Sequence, residues 1–238
     1  MARPLIALVL VLLLAGCAAE VNRNVSADVD SLAVAKTEDQ SLKESLFKDD
    51  QKVISNEDME KILSAKVVLP QQGKLAVIRF GQLPYWWGWS EDFVRMNEKI
   101  DGEFLGKLRG TPRLRQVAYL PSLVTPSVMT IPLLRQSAAR CQADLMLIYR
   151  TSSRNYPKSR FLAKDETRAY CTVEAVIVDT RSGIIPFSTV VSEDFSTKES
   201  ARDMGFYETV ARAQQEAIGK AWNKLADEVV VFLNDLAK

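Results

Sequence analysis

A chain of 238 residues with 31 lysines and arginines against 30 aspartates and glutamates is close to neutral. That balance argues against broad electrostatic attachment to nucleic acid or to anionic lipid. The chain contains no histidine, which removes Ser-His and Cys-His nucleophile pairs, imidazole acid–base chemistry and most zinc and copper sites. No catalytic residue, metal or cofactor is therefore expected.

The chain opens MARPLIALVLVLLLAGC. One cation, Arg3, precedes an apolar run from Leu5 to Leu14, about ten residues where a spanning helix needs roughly 20. The run fits the apolar region of a secretory signal. Leu14-Ala15-Gly16-Cys17 resembles a bacterial lipobox. The resemblance implies a signal peptide over 1–16 and a mature chain beginning at Cys17, lipidated with acyl chains such as palmitate. Ala18, rather than aspartate, follows the cysteine, which implies the outer membrane, facing the periplasm. Each buried acyl methylene contributes about 0.8 kcal/mol, so more than one acyl chain gives a stable anchor. The expected membrane partner is therefore the outer membrane, reached through the N-terminal lipid.

Residues 17–55 hold one aromatic, Phe47, among small, polar and charged residues with no sustained period. Such a segment cannot bury enough apolar surface to offset its ordering entropy and reads as a flexible tether. About 40 residues span near 35 Å as a coil and reach up to about 130 Å when stretched.

A domain over 56–238 follows. A short helix is expected over 56–66. LAVIRF (75–80) is an apolar run of strand length. Ser90 is placed to cap a helix with Glu91 and Asp92 in its first turn, and Phe93, Met96, Ile100, Phe104 and Leu108 follow at helical spacing. Gly110 and Pro112 stop it. RQVAYLPSLV returns as a strand ending near Leu120. Thr130 and Pro132 open a second helix with Leu134, Ala138 and Cys141 on one face. ADLMLIYR (143–150) is a third strand. A polar stretch then reads as a loop up to two more strands, about 168–178 and 184–193, joined by the turn Asp179-Thr180-Arg181-Ser182-Gly183. Ser196 and Glu199 form a candidate capping box. The last helix has an inner stripe of Tyr207, Val210, Gln214, Ile218, Trp222, Leu225, Val229, Leu233 and Leu236, all apolar but Gln214. The order β-α-β-α-β-β-β-α predicts an α/β fold with a mixed sheet and helices packed on it, parallel where strands are joined through helices and antiparallel at the final hairpin.

KLAVIRF, RLRQVAYLPS, LLRQSAARCQADLMLIYR and VEAVIVDTRSGIIPFSTVVSED carry a resemblance. The pattern is similar to periplasmic α/β domains of the CsgG, LpoB, PelC and TolB N-terminal kind. Two short motifs match: A-x-x-x-x-A-D-hydrophobic over Ala138–Leu145 and V-D-T-x-[ST]-G over Val178–Gly183. CsgG-type channels add long amphipathic segments for a membrane barrel; none is spare here, so a pore is not expected. A tether before a compact domain is closer to LpoB. The resemblance implies a non-catalytic lipoprotein that acts as a protein-interaction or assembly module with an envelope protein partner. CsgG and PelC kinds form rings and LpoB kinds act as monomers, so both homo-oligomer and monomer stand.

PYWWGW (84–89) gathers three of the four tryptophans into one short stretch containing a proline and a glycine. Tyr85, Trp86, Trp87 and Trp89 are candidate partner-binding anchors; a lid folded over the first long helix is the alternative. The other function class is an envelope glycan- or peptidoglycan-binding domain, or a glycan-hydrolysing one, using the same loop beside Glu91 and Asp92. Those two carboxylates are adjacent and point about 100° apart on a helix, which disfavours hydrolysis. The stretch from Arg150 to Arg168 carries six cations against Asp165 and Glu166, a candidate contact for an anionic partner or a plain solvated loop. Cys141 and Cys171 are candidates for a disulfide, with two buried free thiols as the alternative. Trp222 and Tyr207 are assigned to the core.

Overall fold

The computed structural model describes residues 45–47, 53–81, 91–158, 165–201, 203 and 205–236. They all belong to one compact unit, Ala35–Lys238; a second unit, Met1–Val34, lies outside the described residues.

The chain runs α1 (Asn56–Ser64), β1 (Gly73–Arg79), α2 (Glu91–Arg109), β2 (Leu114–Tyr119), a short 3-10 turn (Ser122–Val124), α3 (Ile131–Arg140), β3 (Leu145–Lys158), β4 (Glu166–Asp179), β5 (Phe187–Lys198) and α4 (Phe206–Asp235). The five strands form one sheet in the order β2-β1-β3-β4-β5. β1 is parallel to both β2 and β3, while β3–β4 and β4–β5 are antiparallel. The mixed α/β sheet expected from the sequence is the fold observed.

Handedness decides where the helices go. From β1 the chain crosses through α2 to β2 on one side, and from β2 through α3 to β3 on the other side of β1. Both crossovers are right-handed only if α2 and α3 lie on opposite faces of the sheet. Accordingly Phe104 and Leu108 of α2 pack with Leu75, Val77 and Leu147 on one face. Leu134 and Ala138 of α3 pack with Ala76, Ile78, Met146 and Ile148 on the other. α4 joins α2 on the first face and buries Trp222, Leu225, Val229 and Leu233 there. Burying each such side chain contributes about 1.5–3 kcal/mol. The two helices touch closely at Gly219, where an added Cβ would stand 3.3 Å from Cγ1 of Ile100.

Several sequence expectations shift. β3 continues to Lys158 and β4 starts at Glu166, so most of the stretch read as a loop is a long two-stranded ribbon. Thr151, Ser153 and Asn155 are its inward members: Thr151 Oγ1 accepts from Trp222 Nε1 at 3.0 Å, Ser153 accepts from Gln214, and Asn155 Nδ2 donates to Gln214 Oε1 at 3.0 Å. A strand thus buries polar residues by pairing them with a helix, and an apolar-run criterion misses it. Ser196 lies within β5, not in a capping box. Asp203 orders the entry to α4 instead, accepting from Ser200 N at 2.8 Å, Thr209 Oγ1 at 2.6 Å and both terminal nitrogens of Arg212. Tyr207, expected in the core, is 55% exposed on the first turn of α4, whereas Thr209 in the same turn is fully buried. Ser90, the expected cap of α2, lies outside the described residues.

Candidate functional site

Cys17, Tyr85, Trp86, Trp87 and Trp89 lie outside the described residues. Glu91 forms an ion pair with Arg95 at 2.5 Å at the start of α2. The disulfide expectation is corrected: Cys141 and Cys171 are not bridged to one another. Cys171 packs on the α2/α4 face and Cys141 on the α3 face. Cys141 also precedes Leu145, which pairs with Asp179, whereas Cys171 is eight residues back along β4. At about 3.3 Å per residue that is roughly 26 Å, far beyond the reach of a bridge.

The two motifs that carried the family resemblance build the opposite end of the sheet. Asp144 accepts from the backbone N–H of Lys74 at 2.9 Å and so joins the starts of β1 and β3. Asp179 accepts from Ser182 N at 2.7 Å and from its hydroxyl at 2.5 Å. Gly183, at φ +79°, then turns the chain; a Cβ there would meet the Arg135 guanidinium at 2.9 Å. Arg135 donates to the carbonyls of Thr180 and Arg181. Both motifs are structural joints.

The C-terminal ends of the three parallel strands carry a polar cluster. LAVIR, RQVAY and LMLIY each end an apolar run on Arg or Tyr; Arg79, Tyr119 and Tyr149 converge there with Asp101 of α2. Tyr119 donates to Asp101 Oδ1 at 2.7 Å. That uses its only proton, so Tyr149 is the donor in the 3.1 Å contact between the two hydroxyls. Arg79 Nε donates to Tyr149 at 3.1 Å, and Arg79 Nη2 donates to Asp101 Oδ1 at 3.1 Å, closing the ring. Burial pushes both tyrosines above their ordinary range, so they are neutral hydroxyls and not bases. Beneath them the Arg79 guanidinium lies 4.9 Å from the Trp222 ring centroid. A cavity of about 390 Å³ opens beside the cluster, lined by Arg79, Asp101, Tyr119, Leu120, Ser122 and Thr125. The cluster ties β1, β2, β3, α2 and α4 together and offers no activated nucleophile.

The second feature is the outer face of β3–β5. Among the described residues α2 and α4 pack on the inner face, and the α3 cluster on the other face takes in β1, the start of β3 and the end of β4 at Val178. Outward residues pair in rows across the three strands: Arg150–Glu174–Val190, Ser152–Thr172–Ser192, Arg154–Tyr170–Asp194, Tyr156–Arg168–Ser196 and Lys158–Glu166–Lys198. The basic stretch is thus partly neutralised in place: Arg150 pairs with Glu174 at 2.5 Å and Arg168 with Asp194 at 2.9 Å. Val190, Tyr156 and Tyr170 are 67%, 55% and 40% exposed. At the near end a groove of about 530 Å³ runs between Leu46 and Phe47 on one side and Phe80, Ile148, Val176 and Val190 on the other. Leu46 is held there by its carbonyl, which accepts from the N–H of Ile131 at 3.2 Å.

No family model matches the sequence, and no curated protein matches it significantly. Among solved structures the chain is similar to the hypothetical protein CT253 from Chlamydia trachomatis, with 13% identity over 68% of this chain and 95% of that one, TM-score 0.36. It is also similar to a PelC dodecamer from Paraburkholderia phytofirmans (15% identity, 67% and 93% covered, TM-score 0.29) and to the LpoB C-terminal domain from Salmonella enterica (11%, 56% and 90%, TM-score 0.27). At such scores the likenesses carry no argument about activity. The class follows from the chain's own geometry: a mixed α/β domain that, among the described residues, is wrapped by helices on one face and left partly bare on the other.

Proposed function

We propose that this chain is a non-catalytic lipoprotein, anchored through Cys17 at the outer membrane and facing the periplasm, whose domain is an interaction module for an envelope partner. The observation that carries the reading is the outer face of β3–β5, which bears Val190, Tyr156 and Tyr170 in solvent rather than under a helix. A sheet face with large exposed rings is a surface for a partner. The lipobox and the residues before the domain supply the anchor and the reach. A hydrolytic reading would need two carboxylates facing one another across a bond; the candidate Glu91 is paired with Arg95 instead.

Mass spectrometry of the mature N-terminus tests the anchor. Acylated Cys17 in the outer-membrane fraction, with Cys17→Ser released from it, is the expected result. An unmodified Cys17, or a Cys17→Ser protein that stays fully in that fraction, overturns it.

A further inference from the structure

The far half of the outer face has a composition that names a class of partner. Arg154, Tyr170, Tyr156 and Arg168 occupy the four corners of a two-by-two block on β3 and β4, rings and guanidiniums alternating. Neighbouring strands are about 4.8 Å apart and alternate residues about 6.7 Å apart, so the block is roughly the size of a sugar ring. The Tyr156 and Tyr170 rings meet edge to face at 5.5 Å and 88°. The Arg168 guanidinium lies 4.8 Å from the Tyr170 ring centroid, held there by its bond to Asp194. Around the block stand hydroxyls, Ser152, Thr172, Ser192 and Ser196, and the outer cations Lys158 and Lys198. The cations Arg154, Lys158, Arg168 and Lys198 face two carboxylates, Glu166 and Asp194, across these rows.

We propose that this block binds peptidoglycan, taken as a glycan that carries carboxylates beside its sugar rings; the proposal rests on the interaction-module reading and names its partner. The physical fit has three parts. The C–H face of a pyranose ring stacks on an exposed tyrosine, whose ring is apolar and whose hydroxyl stays wet. A carboxylate on the attached peptide accepts from a guanidinium, which prefers that planar acceptor. The hydroxyl row exchanges hydrogen bonds with sugar hydroxyls. Tyr and Arg also build protein hot spots, but there they sit in a packed, desolvated centre; here the block stands in solvent, and the aliphatic residues of this face, Val176 and Val190, sit at its opposite end.

The test is co-sedimentation of the purified full chain in detergent with purified sacculi, at two salt concentrations. The result expected is sedimentation that falls with salt, and about tenfold weaker binding for Tyr156→Ala, Tyr170→Ala and Arg154→Glu. Arg115→Glu, an exposed reversal on β2 at the other sheet edge, should bind as the parent does. Sacculi whose carboxylates are converted to amides by carbodiimide coupling to ammonia should bind about tenfold less, because the sugar rings and cross-links stay while the negative charges are removed. Melting temperatures of all variants are measured alongside, and Tyr156→Phe and Tyr170→Phe keep the ring if an alanine variant fails to fold. No sedimentation, equal loss on Arg115→Glu, or undiminished binding to the amidated sacculi overturns the proposal. These outcomes are independent of Cys17, so they separate a wrong partner from a wrong anchor.

Discussion

Trp222 of α4 sets its ring 4.9 Å from the guanidinium of Arg79 and donates its Nε1 proton to Thr151 at 3.0 Å. One side chain thereby ties the end of β1 to the middle of β3 from beneath. Phe104 and Tyr149 complete the aromatic layer, with centroids 5.6 Å and 5.3 Å from the Trp222 ring.

Removing either member of that pair should therefore cost stability. Trp222→Ala should lose about 3–5 kcal/mol, as expected of a large core aromatic. Arg79→Ala should lose less, about 2 kcal/mol, since Asp101 keeps its bond to Tyr119 and is part-exposed. Chemical denaturation with both single variants and the double measures this; a coupling energy near zero would contradict the contact.

The α2–α4 approach gives a steric prediction. Gly219→Val should destabilise by about 1–3 kcal/mol because the added atoms meet Ile100. Ile100→Ala should recover part of the loss in the double variant, in contrast to the additive cost of two independent sites.

Asp203 makes the domain acid-sensitive. Burial alone would raise its pKa, but the bonds from Arg212, Thr209 and Ser200 outweigh that and hold it below the ordinary carboxylate value. A depressed folded pKa contributes stability above the unfolded value of about 3.9, and that stability is lost as pH falls below it. Asp203→Asn should lose about 3 kcal/mol near neutral pH, where the parent's ion pair with Arg212 is intact. The difference between the two should shrink below about pH 4; a pH-independent difference would contradict the assignment.

Thiol chemistry checks the separation of the cysteines. Unreduced, unfolded protein should show both Cys141 and Cys171 reactive, with Cys171, fully buried, protected in the folded state. Failure of either thiol to label until reductant is added would contradict it.

The order of elements was legible because it rests on local signals: short apolar runs, helical spacing and the right-handed crossover rule. The long ribbon of β3 and β4 was not, because its inward residues are Thr151, Ser153 and Asn155. Thr151 pairs with Trp222, and Ser153 and Asn155 with Gln214, which stand some 60–70 residues away. The Arg79 cluster left a trace, in that each parallel strand ends an apolar run on Arg or Tyr. Its meaning depends on those three ends being brought together with Asp101 of α2, which only the topology does. The same topology turned the basic stretch into a face: alternate residues point outward on neighbouring strands, so charges distant in sequence, Arg168 and Asp194, became partners.

The central claim is that the outer face of β3–β5 is where this protein meets the envelope. A benzophenone crosslinker placed at Val190 or Ser192, and as a control at Val231 on the outward side of α4, tests it in intact cells. Val190 and Val231 are 67% and 61% exposed, so accessibility does not distinguish them. The account predicts adducts from the sheet positions and none from Val231. Equal yields from both faces, or none from the sheet, would contradict it.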